Sequence, residues 1–311
     1  FDGTEMTYRF VRHFYSDTAW YFMTSQPGGM LRAVTEVTPA EPFDRSSQAT
    51  DVTFRHEIEA VNLIRSGREW YQKVVPGTEN DVGPEFTDLL PGERIRYSVR
   101  VLGRSDSGST FTLKQGSQEL KMISLPAVNM TDLNGIFASV ATVADSCLPD
   151  SPAPSFSLTW SSGGNLAATG YIDYVEFRAR AGLQYRARQL FITDTRTVAP
   201  GAVTRFTVGG SSSLKVWDVT DPFAPRIIQT SQASGSTLFT AATDTLRKFV
   251  AFETGNLKNP VTEAVAVPNQ DLHSLAPADM IIVTHPLFES YARRVAELHL
   301  ADDGTTSVVV T

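Results

Sequence analysis

The chain has 311 residues, and its 27 Lys and Arg against 34 Asp and Glu give a formal net charge of −7 at pH 7. This acidity argues against nucleic acid as a partner, because contact with a phosphate backbone needs a basic surface. Hydrophobic residues make up 41% of the chain and charged residues 20%, which excludes disorder over most of its length, and the length predicts about two domains.

The first 49 residues predict a leading β element (1–49). Two aromatic stretches within it, 7–15 and 20–24, are strand candidates because they are rich in Tyr, Phe and Trp, which fit a pleated, half-buried surface. No apolar stretch of the chain approaches the roughly 18 residues that a membrane-spanning helix needs.

Strand candidates follow one another from about residue 50 to 265, separated by clusters of Gly, Pro, Ser and Asn. The clearest strand runs from Arg94 to Val101, where polar and apolar side chains alternate, as a half-buried strand requires. We expect Ile95, Tyr97, Val99 and Val101 to be buried and the arginines between them to be exposed. The remaining strand candidates are 110–113, 120–125, 155–160, 171–178, 203–208, 214–219 and 246–252.

Short strands at this spacing predict antiparallel β-sandwiches. A boundary is expected at 182–196, because a long aromatic-rich strand ends there and a new set of short strands begins. The sequence therefore predicts a mainly β fold with tandem sandwich domains. The first is larger and jelly-roll-like, at 50–190, and the second is smaller and immunoglobulin-like, at 191–266.

After Pro268 the pattern changes to that of an α/β unit at 267–311. Residues 280–283 are a continuous apolar run, as in a strand buried on both faces of a parallel sheet, and 307–310 repeat it. Between them, Pro286 suits the first turn of an amphipathic helix. The pattern predicts one βαβ unit. Because two parallel strands are too few for a stable domain, we expect this unit to be the incomplete start of a larger α/β domain.

Cofactor and metal signals are missing from the sequence. The loop 284–286 between the first predicted strand and the helix lacks the glycines of a dinucleotide fingerprint. Cys147 is the one cysteine, which excludes an internal disulfide and a cysteine-based metal site, and the five histidines show no metal-ligand spacing. We favour a buried or loop thiol over a nucleophile for Cys147, because no histidine is near it in sequence. We therefore expect no cofactor and no metal.

Two stretches near the end of the sequence resemble a known family. They are 268–275 (PNQDLHSL) and 278–288 (ADMIIVTHPLF), and the sequence then closes on 308–311 (VVVT). They are similar to the opening of the peptidase domain in gingipain-family cysteine peptidases, and within that family to the sortases of the type IX secretion system. Further agreement lies at 66–71 (SGREWY), 171–175 (YIDYV) and 216–222 (VWDVTDP). One departure is Gln72 and Lys73, which stand where the family has Gly and Glu.

The resemblance implies a caspase-like peptidase domain whose catalytic His and Cys lie on later strands, so that no catalytic residue is expected in this chain. The implied parent is an endopeptidase or transpeptidase that removes C-terminal signals from secreted cargo and transfers the new terminus to lipopolysaccharide through an acyl-enzyme. This chain would be its non-catalytic N-terminal region, inactive by itself.

The resemblance also implies partners and a location. The partners would be outer-membrane secretion components, the C-terminal signal domains of cargo, and lipopolysaccharide. The location would be the extracellular face of the outer membrane, reached after removal of a signal peptide. The residues alone leave two alternatives open. These are a carbohydrate-binding or adhesion module, and a structural docking module for an outer-membrane partner.

Four residues are candidates for a binding site. His285 follows the first predicted parallel strand, at the edge where open α/β sheets place their ligands, and could line a substrate cleft. We favour the alternative that it caps the following helix. Arg94, Arg96 and Arg100 share one strand face and could bind anionic groups. The alternative, which we also favour, is a solvated face with carboxylates on neighbouring strands.

Aromatic and acidic side chains also have two interpretations each. A sugar-stacking platform would consist of Trp70, Tyr71, Trp160 and Tyr174. Aromatic residues in sandwiches mostly form core, which we favour here. Asp218 and Asp221 could bind calcium, but a strand end followed by an Asx turn explains them more simply.

Overall fold

A computed structural model describes residues 34–36, 42–132, 134–257 and 271–311. The chain divides into two compact units, Phe1–Lys258 and Asn259–Thr311. The strand candidates at 7–15 and 20–24 lie outside the described residues. Within the described ranges, no helix is both long enough and apolar enough to cross a membrane.

The fold is mainly β, as the sequence predicts. The first ten strands described are β1 (Val34–Glu36), β2 (Arg45–Ser47), β3 (Ala49–His56), β4 (Gln72–Val74), β5 (Glu79–Asp81), β6 (Ile95–Arg104), β7 (Ser109–Gln115), β8 (Gln118–Leu125), β9 (Ser139–Cys147) and β10 (Phe156–Ser161). They are followed by β11 (Thr169–Gly182), β12 (Leu190–Ile192), β13 (Val203–Val208), β14 (Lys215–Asp218), β15 (Arg226–Ile228), β16 (Thr230–Ala233), β17 (Ser236–Ala242), β18 (Phe249–Phe252), β19 (Met280–Val283) and β20 (Ser307–Val310). The one α-helix described is α1 (Glu289–Asp302), and short 3₁₀ turns occur at Thr195–Thr197, Thr254–Asn256, Leu272–Ser274 and Pro286–Phe288.

The larger sandwich joins two antiparallel sheets. One sheet has the order β3-β11-β6-β9, with β4 on the far end of β11, and the other has the order β5-β10-β7-β8. Their facing sides enclose one apolar core, in which Phe156 and Phe177 come from opposite sheets with ring centroids 4.4 Å apart. Burial of such a side chain is worth roughly 1.5–3 kcal/mol, so this core is the main stabilising feature of the sandwich.

Strand β6 confirms the predicted alternation. Its buried positions include Ile95, Tyr97, Val99 and Val101. Arg94, just before the strand, and Arg96 are exposed, whereas Arg100 is half-buried. The same period continues on the neighbouring strand β11, where Arg178 and Arg180 alternate with buried residues. The outer face of this sheet is therefore rich in arginine.

Gly170 on β11 lies directly against Trp160 of the facing sheet. A Cβ at Gly170 would overlap the indole ring of Trp160. That ring is fully buried and packs against Phe111 with centroids 6.2 Å apart. Any side chain larger than glycine would displace the tryptophan from the core.

The smaller sandwich has sheets of order β1-β15-β14-β18-β12 and β16-β17-β13-β2. Its core centres on Phe206, Phe239 and Phe249, with the Phe206 and Phe239 rings stacked at 4.9 Å between centroids. Strand β1 pairs in parallel with β15, and β2 pairs in parallel with β13.

The described strands of the expected leading element thus belong to the smaller sandwich. In chain order, the larger sandwich is inserted between β2 and β12. A local sequence pattern cannot predict pairing between strands so far apart in the sequence. The residues of β1 and β2 alternate like those of any short strand and do not indicate a partner. The domain limits 1–49, 50–190, 191–266 and 267–311 stay a prediction.

The second unit has the order strand, helix, strand. Strands β19 and β20 are parallel, with Met280 opposite Ser307, and the helix α1 lies between them in sequence. Among the described residues of α1, Ala292 alone is buried, and Leu287 and Tyr291 are among the exposed apolar side chains near its start. That this unit opens a caspase-like domain stays a prediction.

Candidate functional site

The outer face of the β3-β11-β6-β9 sheet places two arginines side by side. In the antiparallel pair β6 and β11, Arg96 lies directly opposite Arg178, an arrangement that lowers stability because like charges repel. Arg178 has a carboxylate partner, since its Nε donates to Oε1 of Glu176 at 2.9 Å. Arg96 has no hydrogen bond or ion pair with any residue that the structure describes.

Arg94 is held in place by neutral acceptors. Its Nε donates to Oγ of Ser146 at 2.8 Å, and its Nη2 donates to the Ser146 carbonyl oxygen at 2.7 Å. Within the described ranges it has no carboxylate partner. The guanidinium of Arg94 is therefore oriented by neutral acceptors, and Asp145 acts on its charge only at longer range.

Two further arginines stand where the two sandwiches meet. Nη1 of Arg180 lies 2.7 Å from Oδ1 of Asp51 and 2.8 Å from Oδ1 of Asp194, and the Asp194 side chain is almost fully buried. Arg196, on the Thr195–Thr197 turn, donates to both carboxylate oxygens of Glu93 at 2.6 and 2.7 Å. This hydrogen bonding holds the pKa of Glu93 below its usual value. These ion pairs join the larger sandwich to the connection between β12 and β13 of the smaller one.

Together these side chains line a cavity of about 570 Å³, which we call the arginine groove. Its charged lining consists of Arg94, Arg96, Arg178, Arg180, Arg196, Asp51 and Glu93. A second hollow of about 390 Å³ continues past Arg96 towards Ser98 and Asp145. The described residues that line the groove include no aromatic side chain. The groove is therefore a polar, net positive surface on an acidic protein.

Arg100 lies outside the groove. It forms an ion pair with Asp173, and a longer one with Glu69 at 3.4 Å. Burial raises the pKa of Asp173, and the guanidinium of Arg100 opposes that rise. The expected set of three arginines on one face thus divides, because Asp173 at the irregularity between β11 and β6 engages Arg100. The anion-site candidates that remain together are Arg94 and Arg96.

His285 caps the turn that follows β19. Its Nδ1 accepts a hydrogen bond from the backbone N–H of Leu287 at 3.2 Å, and its ring lies 6.2 Å from that of Phe288. This is the capping role that the sequence favours. A role in a substrate cleft stays a prediction.

The aromatic candidates do not form a platform. Trp160 and Tyr71 are buried, as the core interpretation predicts. Tyr174 is half-buried beneath the guanidinium of Arg55, which lies 3.8 Å from its ring centroid. Trp70 is partly exposed, at 42%. These positions therefore lack the exposed aromatic row that would indicate sugar binding.

The aspartates of the 216–222 segment form turns. Oδ1 of Asp218 accepts from the Thr220 N–H at 2.8 Å, and Oδ1 of Asp221 accepts from the Phe223 N–H at 2.9 Å. Asp218 is buried and also pairs with Arg247 at 3.2 Å. No group of three or more His, Cys, Asp or Glu that could hold a metal occurs in the described ranges.

Cys147 is a buried thiol at the end of β9. Its Sγ lies 3.4 Å from Oε1 of Gln115. Burial raises the pKa of the thiol to about 11, so the nucleophilic thiolate is scarce at neutral pH. The environment of Cys147 is that of a structural residue.

Sequence reasoning missed Arg178, Arg180 and Arg196 as members of the groove. A partial signal was present for the first two, because they alternate with apolar residues in the same way as Arg94 and Arg96. No pattern in the sequence predicts that Arg178 lies opposite Arg96, since the register depends on long-range strand pairing.

The fold is similar to that of a solved protein over most of the chain. This is the dimeric latent PorU from Porphyromonas gingivalis, with a TM-score of 0.74 and 18% identity over 90% of this chain. The chain spans 27% of the length of that PorU chain. At this identity the likeness establishes a PorU-like, mainly β fold.

The other comparisons add no family assignment. A cycloisomaltooligosaccharide glucanotransferase from Paenibacillus sp., solved with cycloisomaltoheptaose, gives a TM-score of 0.22 and 8% identity over 68% of this chain and 47% of that one, too low to support an argument. No protein-family model matches the chain, and no curated protein matches it.

Proposed function

We propose that this chain is the non-catalytic β region, with the first strands of the peptidase domain, of a type IX secretion sortase-like cysteine peptidase. The observation that supports this most is the PorU-like fold, which extends over 90% of the chain with a TM-score of 0.74. The stretch 278–288, which carries the most specific sequence resemblance, falls on β19 and the turn after it. The strand and the following turn expected there from the sequence are both present.

The proposed role of the two sandwiches is to support and orient the peptidase domain. Ion pairs tie the larger sandwich to the segment before β13, among them Arg180 with Asp194 and Arg196 with Glu93. Two sandwiches joined by ion pairs suit a scaffold, because a catalytic domain needs a fixed position relative to its substrate. On this proposal, His285 lines the substrate cleft of the complete domain.

The proposed chemistry belongs to residues outside this chain. A thiolate paired with a histidine would cleave the C-terminal signal of a cargo protein and form an acyl-enzyme, which an amine of lipopolysaccharide or a water molecule would resolve. Cys147 is buried and its thiol has a pKa raised to about 11, so it does not suit this role. The proposed location is the extracellular face of the outer membrane, with secretion components and cargo signals as partners.

The proposal is tested in the source organism by deleting the gene and following cargo proteins by mass spectrometry. We expect cargo to keep its C-terminal signals, and the wild-type gene to restore their removal. Complementation with Cys147→Ala should restore it equally well, because the nucleophile lies elsewhere. Purified Cys147→Ala protein should show the circular dichroism spectrum of the wild type.

Two results would contradict the proposal. One is normal removal of the C-terminal signals in the deletion strain. The other is a folded Cys147→Ala protein that fails to restore removal, since Cys147 would then take part in the chemistry.

A further inference from the structure

We propose that the arginine groove binds a small oxyanion carrying at least two negative charges, such as a phosphate ester or a dicarboxylate. Arg94 and Arg96 are its main contacts, because both lack a carboxylate partner among the described residues. This site goes beyond the proposed function, which rests on the fold and would stand if the groove bound nothing.

The first observation is the uncompensated charge of Arg96. Elsewhere on this sheet face the arginines have carboxylates, as Arg100 has Asp173 and Arg180 has Asp51. Arg96 instead lies opposite another arginine, Arg178. The carboxylate of Glu176 pairs with both Arg178 and Arg55, so its single charge does not balance Arg96 as well, and like charges across a strand pair are unfavourable. A bound anion supplies the balancing negative charge and accepts charge-assisted hydrogen bonds from the guanidiniums.

The second observation is that the donors are already oriented. Ser146 holds Nε and Nη2 of Arg94, and Nη1 has no hydrogen-bond partner among the described residues. Asp51 and Asp194 fix Arg180, and Glu93 fixes Arg196. An anion entering the groove orders few side chains, which lowers the entropic cost of binding. The carboxylates of Asp51 and Glu93 are engaged by arginines, so their repulsion of the anion is reduced.

The shape and lining of the groove indicate the class of ligand. A cavity of about 570 Å³ is larger than a single ion requires and lies in the usual range for small-molecule sites. Its described lining has no aromatic ring on which a neutral sugar could stack. Recognition therefore depends on charge, and two guanidiniums without a carboxylate partner among the described residues match a ligand with two negative charges.

The test is isothermal titration calorimetry on the whole chain at fixed ionic strength, with inorganic phosphate in one arm and citrate in the other. We expect saturable binding of at least one probe, weakening as NaCl is added because the contacts are electrostatic. Tighter binding of phosphate would indicate a phosphate-bearing ligand, and tighter binding of citrate a carboxylate-bearing one.

Single substitutions locate the site. Arg96→Gln and Arg94→Gln should each weaken binding by roughly ten- to a hundred-fold, the range expected when one charged hydrogen-bonding partner is lost. Arg294→Gln is the matched control, because Arg294 is an exposed arginine on α1 in the other unit. It removes the same charge outside the groove and should leave the affinity unchanged.

The fold of each variant is checked by circular dichroism and thermal unfolding. Arg96 has no partner among the described residues and lies opposite Arg178, so Arg96→Gln should unfold at or slightly above the wild-type temperature. The proposal is wrong if neither probe binds saturably to the wild type, or if a folded Arg96→Gln binds as the wild type does. Equal weakening by Arg294→Gln would also overturn it, because the effect would then be one of net charge.

Discussion

The inner and outer faces of the β3-β11-β6-β9 sheet come from the same strands, yet they differ in how completely their side chains are partnered. On the inner face, Ile95 and Phe177 are fully buried within one continuous core. On the outer face, Arg100 is paired with Asp173, whereas Arg96 faces Arg178 without a carboxylate of its own. The inner face is consistent with selection for packing alone. On the outer face, the end of β6 that carries Arg96 has an arginine without a counter-charge among the described residues. Such a local mismatch is expected where a protein binds a ligand.

The largest effect should come from the inner face. Phe177→Ala removes a fully buried ring that contacts Phe156 across the two sheets. We expect a loss of about 3–5 kcal/mol in the free energy of unfolding, from lost burial and the cavity left behind. Urea denaturation followed by circular dichroism measures it.

Ser98→Ala, on the outer face of the adjacent strand β6, is the control and should change stability by less than about 0.5 kcal/mol. Equal losses in Phe177→Ala and Ser98→Ala would mean that the two faces do not differ as described.

The inner face was also the part most readily predicted from the sequence. Alternation of polar and apolar residues assigns Ile95 and Val99 to the core and Arg96 to the outside, because the side-chain period of a strand is two. The same rule does not reveal the neighbours of a strand. That Arg96 meets Arg178, more than 80 positions later, depends on a register that long-range packing decides.

The arginines of β6 show the limit of a local pattern most clearly. Arg96 and Arg100 have the same spacing and the same face, and the sequence gives no reason to separate them. The two arginines differ because of Asp173. This residue lies where the register between β11 and β6 shifts, and its carboxylate forms an ion pair with Arg100 and not with Arg96. The smaller sandwich shows the same limit. Its strand β2 pairs with β13, although the strands of the larger sandwich separate the two in the sequence.

An intermediate effect is expected where the outer face is fully paired. Arg100→Gln leaves the Asp173 carboxylate, which is almost fully buried, without its main cation. We expect a loss of about 1–3 kcal/mol at pH 7, the penalty for a buried polar group that has lost its partner. The free energy of unfolding from urea titrations at pH 7 and pH 4 measures both the loss and its pH dependence.

The sign of that pH dependence follows from the environment of Asp173. Burial raises the pKa of Asp173 in the folded protein, and Arg100 opposes that rise. The substitution Arg100→Gln should therefore raise the pKa of Asp173 further. A carboxyl group whose folded pKa exceeds its unfolded pKa favours the folded state below the unfolded pKa. That advantage is lost as the pH rises through the folded pKa. The difference in the free energy of unfolding between Arg100→Gln and wild type should therefore become smaller as the pH falls to 4. A difference that grows would contradict this account.

The smallest effect, and the one of opposite sign, should come from the unpaired end of the outer face. Arg96→Glu places a carboxylate directly opposite Arg178 in the β6 and β11 pair. Opposite charges across an antiparallel pair contribute about 0.2–1 kcal/mol, whereas like charges there are destabilising. We therefore expect a small gain in the free energy of unfolding, measured by urea denaturation at low salt. Arg96→Gln should lie between the variant and wild type, because it removes the repulsion without adding an attraction. Added NaCl should shrink the gain, since the pair is exposed to solvent. If Arg96→Glu proved less stable than wild type, the guanidinium of Arg96 would already be stabilising the folded chain. The described difference between Arg100, which has a carboxylate partner, and Arg96, which has none among the described residues, would then be wrong.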